Sequence, residues 1–332
     1  MAPVENPIVF HYEGSIFSHR VLWYLWLRGI PYDESIQPPF MPRPDLEAIG
    51  IGYRKIPLLA IGKDVYCDSR SIISKLETLY PGSALALSTP MEAGIRKLFE
   101  SWTVDGGIFF NAVKMMPYWQ DGSFLSNKAF VDDRQKLMGR RLTADSMKAG
   151  RPDGAQHLQQ AFDLLESTFL ADSRDWVLGT KEPSLADLDA VWPFKWLMID
   201  PMMKGSLPVQ HFNAQKYPKV FSWVERFVSE LERKRKQMPR PTTLNGNALL
   251  DRTLNTTSMP ENVGFLDNGP LTLKYGDEVE VFPSDYGQTG KSAGNLIGLT
   301  THEAVIRNRK GMYLHFPRWN FTISKTAPKS MI

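Results

Sequence analysis

Cysteine is almost missing from this chain: Cys67 stands alone among 332 residues. No intrachain disulfide can form, and a reducing cytoplasm is the expected setting. Long apolar runs are missing too, since none reaches the roughly 18 residues that a membrane helix needs. The opening MAPVENPIVF has no basic flank before an apolar core, so no secretory leader is expected. Charge of one sign is scarce. The 39 Lys and Arg against 36 Asp and Glu leave a net +3, too little to argue for nucleic acid. His11, His19, His157, His211, His302 and His315 share no ligand spacing with Cys67 or with carboxylates, so no metal is expected. Asn255-Thr256-Thr257 and Asn320-Phe321-Thr322 have the spacing of glycosylation acceptors but are discounted without a leader. There is no internal repeat.

What is present is an ordinary globular balance, 42% hydrophobic and 23% charged, arranged in three regimes of periodicity. PIVFHYE reads as a strand, SHRVLWYLWLR as a helix stopped by Gly29, and IPYDESIQP as a second strand, which makes a βαβ unit. PLLAI and VYC around the turn GKD form a hairpin, and SRSIISKLETLY is a helix. Pro57, which cannot donate to a ladder, opens the first hairpin strand. Tyr80-Pro81-Gly82-Ser83 ends this region. From 88 to 236 the strand signals vanish. The stretches 91–116, 155–170, 184–198 and 217–236 read as helices, and the more polar segment 121–153 as a helix between loops. In the last stretch Val220, Phe221, Val224, Phe227, Val228 and Leu231 share one face. QMPRPTTLNGN reads as a linker. Beyond it LTLKY, VEVF and WNFTI alternate with period two between the turns YGDE, PSDYGQTGKSAGN and NRKG. That is a small antiparallel β module, expected to pack against the helices because it is marginal alone. The basic run ERKRKQMPR is read as a solvated helix end, with nuclear targeting or nucleic-acid contact as a lesser alternative.

Five ordered stretches resemble the glutathione S-transferase superfamily. SHRVLWYLWLRGIPYDE is similar to its first helix and second strand, RKIPLL to its cis-proline loop, and CDSRSII to the acidic–serine pair before the third helix. WVLGTKEPSLADLDAVW is similar to its helical-domain capping box, and YPKVFSWVERF to its last helix. The resemblance covers about two thirds of the chain. It implies a thioredoxin-like glutathione-binding domain (5–84) and an all-helical domain (88–238). The β-rich extension (245–328) has no counterpart in ordinary members, though some fungal ones carry extensions. A homodimer is also implied; the small net charge and the lack of a long apolar run already speak against nucleic-acid and membrane partners.

The chemistry follows. A cis bond before proline costs only about 0.5 to 1 kcal/mol over trans, so Ile56-Pro57 can expose the Ile56 backbone to pair with a peptide. In the resemblance that peptide is glutathione, held at its cysteinyl unit. Asp68 and Ser69 stand at a helix N-terminus, which favours a carboxylate. Ser69 would take the γ-glutamyl carboxylate and Asp68 the ammonium, or Ser69 simply caps the helix. Asp68 is one methylene shorter than the family's usual Glu or Gln. Lys55 and Arg54 would meet the glycyl carboxylate, or are solvated loop charges. Counting back from Arg20-Val21, Ser15 falls where serine-type members, the zeta class especially, place the hydroxyl that stabilises the thiolate. Ser18 is the alternative donor, and an N-cap is the plainer role for Ser15. Tyr12 would suit a tyrosine-type member but is read as part of the first strand. Cys67 is read as a small buried hydrophobe. With no Cys-x-x-Cys, a redox role is disfavoured. Phe110, Met115, Met116, Tyr118 and Trp119 would line an apolar, adaptable pocket, or belong to the helix core. Ser184 and Asp187 form a structural capping box.

The expectation is a glutathione-dependent transferase acting on an apolar electrophile, in detoxification or secondary metabolism. The alternatives are a cis-trans isomerase of a conjugated alkene and a non-catalytic binding or assembly module.

Overall fold

The computed structural model describes residues 5–82, 85, 87–256, 261–266 and 269–326. Thr257 of the first acceptor motif, the boundary residues 83–84 and residues 327–328 of the extension lie outside the described residues.

The chain begins as β1 (Ile8–His11), α1 (Ile16–Arg28) and β2 (Asp33–Ile36), with β2 parallel to β1. A short α2 (Pro44–Ala48) leads to the hairpin of β3 (Leu58–Ile61) and β4 (Asp64–Cys67), antiparallel to β1 through β3, and then to α3 (Ser69–Leu79). Alternation in these strands sorts side chains into two cores. Val9, Leu59 and Tyr66 face α1, α3 and the helical half, whereas Ile8, Phe10, Leu58, Ala60, Val65 and Cys67 face the opposite side. Gly29 closes α1 at φ 64, where its N–H reaches the carbonyls of Leu25 and Trp26; a side chain there would be strained.

The helical half is α4 (Pro90–Glu100), α5 (Gly107–Lys114), α6 (Lys128–Met138), α7 (Ala144–Leu164), α8 (Leu185–Ile199) and α9 (Pro218–Arg235). Two readings of this half are corrected. The stretch 91–116 is not one helix: a wide turn at Ser101–Asp105 and Gly106 divide it into α4 and α5. The AGRPDG segment is not a loop but the middle of α7, Pro152 included. Its glycine is there for closeness, since a Cβ on Gly154 would come 2.9 Å from Lys114 Cβ and 3.1 Å from the Asn111 carbonyl. The capping box of α8 is present. Asp187 accepts from the backbone N–H of Ser184 and of Val177 and from Trp223 Nε1, each at 2.9 Å, so it ties α8 to α9 as well as starting it.

The C-terminal part departs most from expectation. After α10 (Gly246–Arg252) come β5 (Glu278–Pro283), β6 (Ser292–Leu299), β7 (Glu303–Arg307), β8 (Tyr313–Pro317) and β9 (Phe321–Lys325). LTLKY is not a strand, and Trp319 precedes β9 in a turn where Asn320 has φ 59. The module does touch the helices, through Tyr286 against Phe109 and Phe110 and through Gly287 at Leu137, but its main attachment is to the sheet. Its β8 pairs in parallel with β4, Val65 opposite Leu314, giving one nine-stranded sheet in the order β2-β1-β3-β4-β8-β7-β6-β5-β9. The reason is twofold. β4 would otherwise be an open edge, and the inner residues Val279, Val281, Leu296, Ile306, Leu314 and Phe316 share one core with the outer face of β1, β3 and β4. The supposed linker also pairs: Leu244 N donates to the Glu34 carbonyl at 2.7 Å, beside the other sheet edge. No helix among the described residues is long and apolar enough to cross a membrane.

Candidate active site

One cavity of about 750 Å³ lies where β1, β3 and β4 meet the helical half. Among its lining residues are Ser15, Lys55, Ile56, Pro57, Asp68 and Ser69. The sheet brings these together from three loops: Ser15 follows β1 and opens α1, Pro57 precedes β3, and Asp68 joins β4 to α3. The Ile56–Pro57 bond is cis.

Ser15 caps α1 and is 4% exposed. Its Oγ accepts two hydrogen bonds, from Ser18 Oγ at 2.8 Å and from the Ser18 backbone N–H at 3.3 Å. With both lone-pair directions engaged, its own O–H is left to donate. Ser18 is fully buried behind it and does not line the cavity; it orients Ser15. Ser69 is built in the same way. It does not cap α3, because Asp68 does, accepting from the Arg70 N–H at 2.9 Å with φ 74 at its own backbone. Ser69 Oγ instead accepts from Arg20 Nη1 at 2.7 Å, so its proton too is available. A positive φ at a non-glycine residue is strained; Asp68 lines the cavity, with its second carboxylate oxygen 3.5 Å from Arg70 Nη1.

Arg20 was legible only as part of a similar stretch, and its role was missed. It is wholly buried. Nε donates to Asp189 Oδ1 at 2.8 Å and Nη2 to Glu100 at 2.7 Å, joining α1 to α8 and α4 as well as to Ser69. Burial alone would raise the Glu100 carboxyl, but Arg20, Arg96 and Lys97 outweigh it and hold the group well below the usual range.

Tyr12 lies past the end of β1, not within it, and lines the cavity with its hydroxyl 3.3 Å from Arg134 Nη2. The apolar wall is also shifted from expectation. Of Phe110, Met115, Met116, Tyr118 and Trp119, only Met116 lines the cavity. Helix α5 presents Phe109 and Val113, one turn apart, with Met116 beyond. Met115 is fully buried among helices, Phe110 packs edge-on against Tyr286, and Trp119 is exposed under the Arg151 guanidinium. Phe17, Phe124, Phe130 and Met202 complete the wall.

Asp285 and Tyr286, from the β5–β6 loop, had no signal in the sequence, where the loop read as a turn. They line the same cavity. Lys55 Nζ lies 2.8 Å from Asp285 Oδ1 and 3.8 Å from the centre of the Tyr286 ring. Burial pulls the Lys55 ammonium below its usual range despite Asp285. Cys67 is fully buried away from the cavity, and burial pushes its thiol up.

Comparisons with known proteins bear on the fold. Residues 9–84 match the family described as the glutathione S-transferase N-terminal domain, and residues 111–236 match a domain of unknown function (DUF7962). A glutathione S-transferase-like protein from Pseudomonas syringae is similar over 97% of this chain and 100% of its own, at 22% identity and a TM-score of 0.66. A β-etherase from Sphingobium covers 70% of this chain and 99% of its own at 14% identity and TM-score 0.51. A Tau-class glutathione S-transferase from mango covers 71% and 93% at 15% and 0.50. No curated protein sequence matches the chain. The fold is therefore that of the glutathione S-transferases, a thioredoxin-like domain followed by a helical one and then an antiparallel strand region. Within that fold, residues 9–84 carry the family signature of the glutathione S-transferase N-terminal domain. The Pseudomonas likeness, running over nearly the whole chain, gives the C-terminal strands a bacterial counterpart.

Proposed function

We infer that this protein is a glutathione-dependent enzyme in which the glutathione thiolate attacks an electrophilic carbon of an apolar small molecule. The observation that carries the reading is the pair of hydroxyls, Ser15 and Ser69, each loaded as an acceptor from within the protein and each opening on one cavity beside a cis-proline loop. The Ile56 backbone would pair with the cysteinyl unit as a strand does. Ser69 would donate to the γ-glutamyl carboxylate at the α3 N-terminus, and Asp68 would accept from its ammonium.

Ser15 would donate to the thiolate. A thiol titrates near 8.5, and each unit of depression needs about 1.4 kcal/mol. One charge-assisted hydrogen bond supplies roughly 1.5 to 3 kcal/mol and a helix N-terminus up to about 2. Together they keep the thiol ionised at neutral pH. The thiolate then forms a carbon–sulfur bond at a carbon held against Phe17, Phe109, Val113 and Met116. Expulsion of a leaving group, or protonation of the adjacent carbanion, completes transfer. Reversal after rotation about the former double bond would give isomerisation instead.

Ser15→Ala is expected to lower kcat/KM by about 10²-fold, the scale set by losing one donor to a developing anion. It should also raise the pKa of the bound thiol by about one to two units. The pH–rate profile and a thiolate absorbance titration check this, with a thermal melt to separate the loss of a helix cap, about 1 kcal/mol. Unchanged turnover and an unchanged thiol titration would remove Ser15 from the chemistry. Failure of glutathione to bind would leave the non-catalytic module. We further propose a cytoplasmic homodimer. Met91 and Leu98, seven residues apart on α4, are each 72% exposed and are what a second copy would cover. Light scattering should give twice the chain mass, reverting to one on Leu98→Glu.

A further inference from the structure

The basic pair beside the cis bond is already matched by acids of the chain itself. Lys55 is held by Asp285 at 2.8 Å with Tyr286 below its ammonium. Arg54 Nη2 donates to Asp133 Oδ1 at 2.8 Å, and its Nη1 to Thr289 at 3.3 Å. Asp285, Tyr286 and Thr289 all come from the β5–β6 loop, and its approach is built in. Gly287 donates its N–H to the Leu137 carbonyl at 2.8 Å with φ +80, and a Cβ there would fall 2.9 Å from Leu137 Cδ1. A Cβ on Gly290 would fall 2.6 Å from Arg54 Cγ. Tyr286 is wedged against Phe109 and Phe110. The C-terminal module thus forms one wall of the cavity and places a fixed carboxylate on the lysine that would otherwise receive the free carboxylate of a bound peptide thiol.

We propose that Asp285 determines which peptide thiol the site accepts: a γ-glutamyl thiol whose C-terminal end is neutral, an amide or an ester, in preference to one bearing a free carboxylate there. The proposal rests on the glutathione reading above and deepens it. An anionic end brought to Lys55 must displace Asp285 or lie beside it as a second negative charge, and like charges brought together are penalised. A neutral end meets no such repulsion and needs only a hydrogen bond.

The test is calorimetric titration of the full chain with glutathione and with its glycyl monoethyl ester, on the wild type, Asp285→Asn, and Asp285→Asn combined with Lys55→Gln. The wild type should bind the ester at least as tightly as glutathione. Asp285→Asn frees Lys55 and should tighten glutathione about tenfold, the worth of one charge-assisted hydrogen bond, while the ester changes less than about twofold. The added Lys55→Gln should abolish that gain. An unchanged ratio in an Asp285→Asn protein that melts like the wild type overturns the proposal and leaves the glutathione reading intact. If Asp285→Asn does not fold, a wild type preferring glutathione about tenfold over the ester overturns it equally. No binding of either thiol to any variant sinks both readings together.

Discussion

Arg20→Met should destabilise the protein by about 3 to 5 kcal/mol, the range for removing one partner of a buried ion pair. The guanidinium is wholly enclosed and is shared by Asp189, which is equally enclosed, and by Glu100, 5% exposed at its side chain. The methionine fills the volume but leaves two carboxylates in a low-dielectric interior, where solvation cannot replace the lost charge. Arg96, within 2.8 Å of Asp189 Oδ2, and Lys97, within 2.9 Å of Glu100, survive the change and keep the loss finite. Urea unfolding monitored by tryptophan fluorescence measures it. Arg20→Lys should fall between, since an ammonium keeps the charge but cannot fork to both acids and to Ser69. Ser69 would lose its donor in the methionine variant, so the glutathione affinity proposed above should weaken as well. A loss under about 1 kcal/mol for the methionine variant would show that the network is not what joins the two halves of the fold. The acid limb has a definite sign. Glu100 sits below its ordinary range when folded, so its contribution is present above the ordinary glutamic acid value. It is lost as pH falls toward the folded one.

The seam between β4 and β8 carries the second large effect. His315 is fully buried, with Nε2 at 2.9 Å from Asp64 and Nδ1 at 2.9 Å from Glu303, stacked 4.3 Å from the ring of Tyr66. Glu261 and Lys75 lie around that ring, the former accepting the Tyr66 hydroxyl at 2.6 Å and pairing with the latter at 2.7 Å. Burial pulls the imidazole down, but hydrogen bonds to Asp64 and Glu303 outweigh it and the net shift is upward. A raised folded value means that the stabilisation is complete below the ordinary histidine value of 6.5 and is lost as pH rises through the folded one. His315→Gln should therefore destabilise the protein more at pH 6 than at pH 9, and His315→Ala should cost about 3 kcal/mol at pH 6, the low end of the buried-pair range. Glu303, a quarter exposed at its side chain, retains some water, which sets that lower figure. Melting curves of wild type and variant across pH give the answer. Parallel curves at all pH values would mean that the imidazole titrates alike in the folded and unfolded chain, so that Asp64 and Glu303 do not hold its proton.

Much of the first eighty residues could be read directly because their signals are local. Pro57 at the head of a strand and Gly29 past a helix each act within a few residues. Ser184 and Asp187 announced their helix in the same way, three residues apart. Ser15 and Ser69 were placed by position, but the reason each offers a proton was not visible. The loading of Ser69 depends on Arg20, 49 residues away. The apolar wall was misplaced by one helical turn or less because composition identifies α5 as apolar without fixing which way it rotates. Packing of α5 on α7, through the missing side chain of Gly154, decided that.

The sequence by itself determined the βαβ and hairpin–helix order of the first eighty residues, the two periodicities, the cis-proline loop and the hydroxyls at two helix starts, because these are set by backbone chemistry over a few residues. Only the tertiary structure decided that β8 completes the sheet at β4, that Asp285 reaches Lys55 across 230 positions and that His315 meets Asp64 across 251. Such pairings depend on which exposed edge and which buried charge remain unsatisfied once the local pieces have formed, and no short window of residues carries that information.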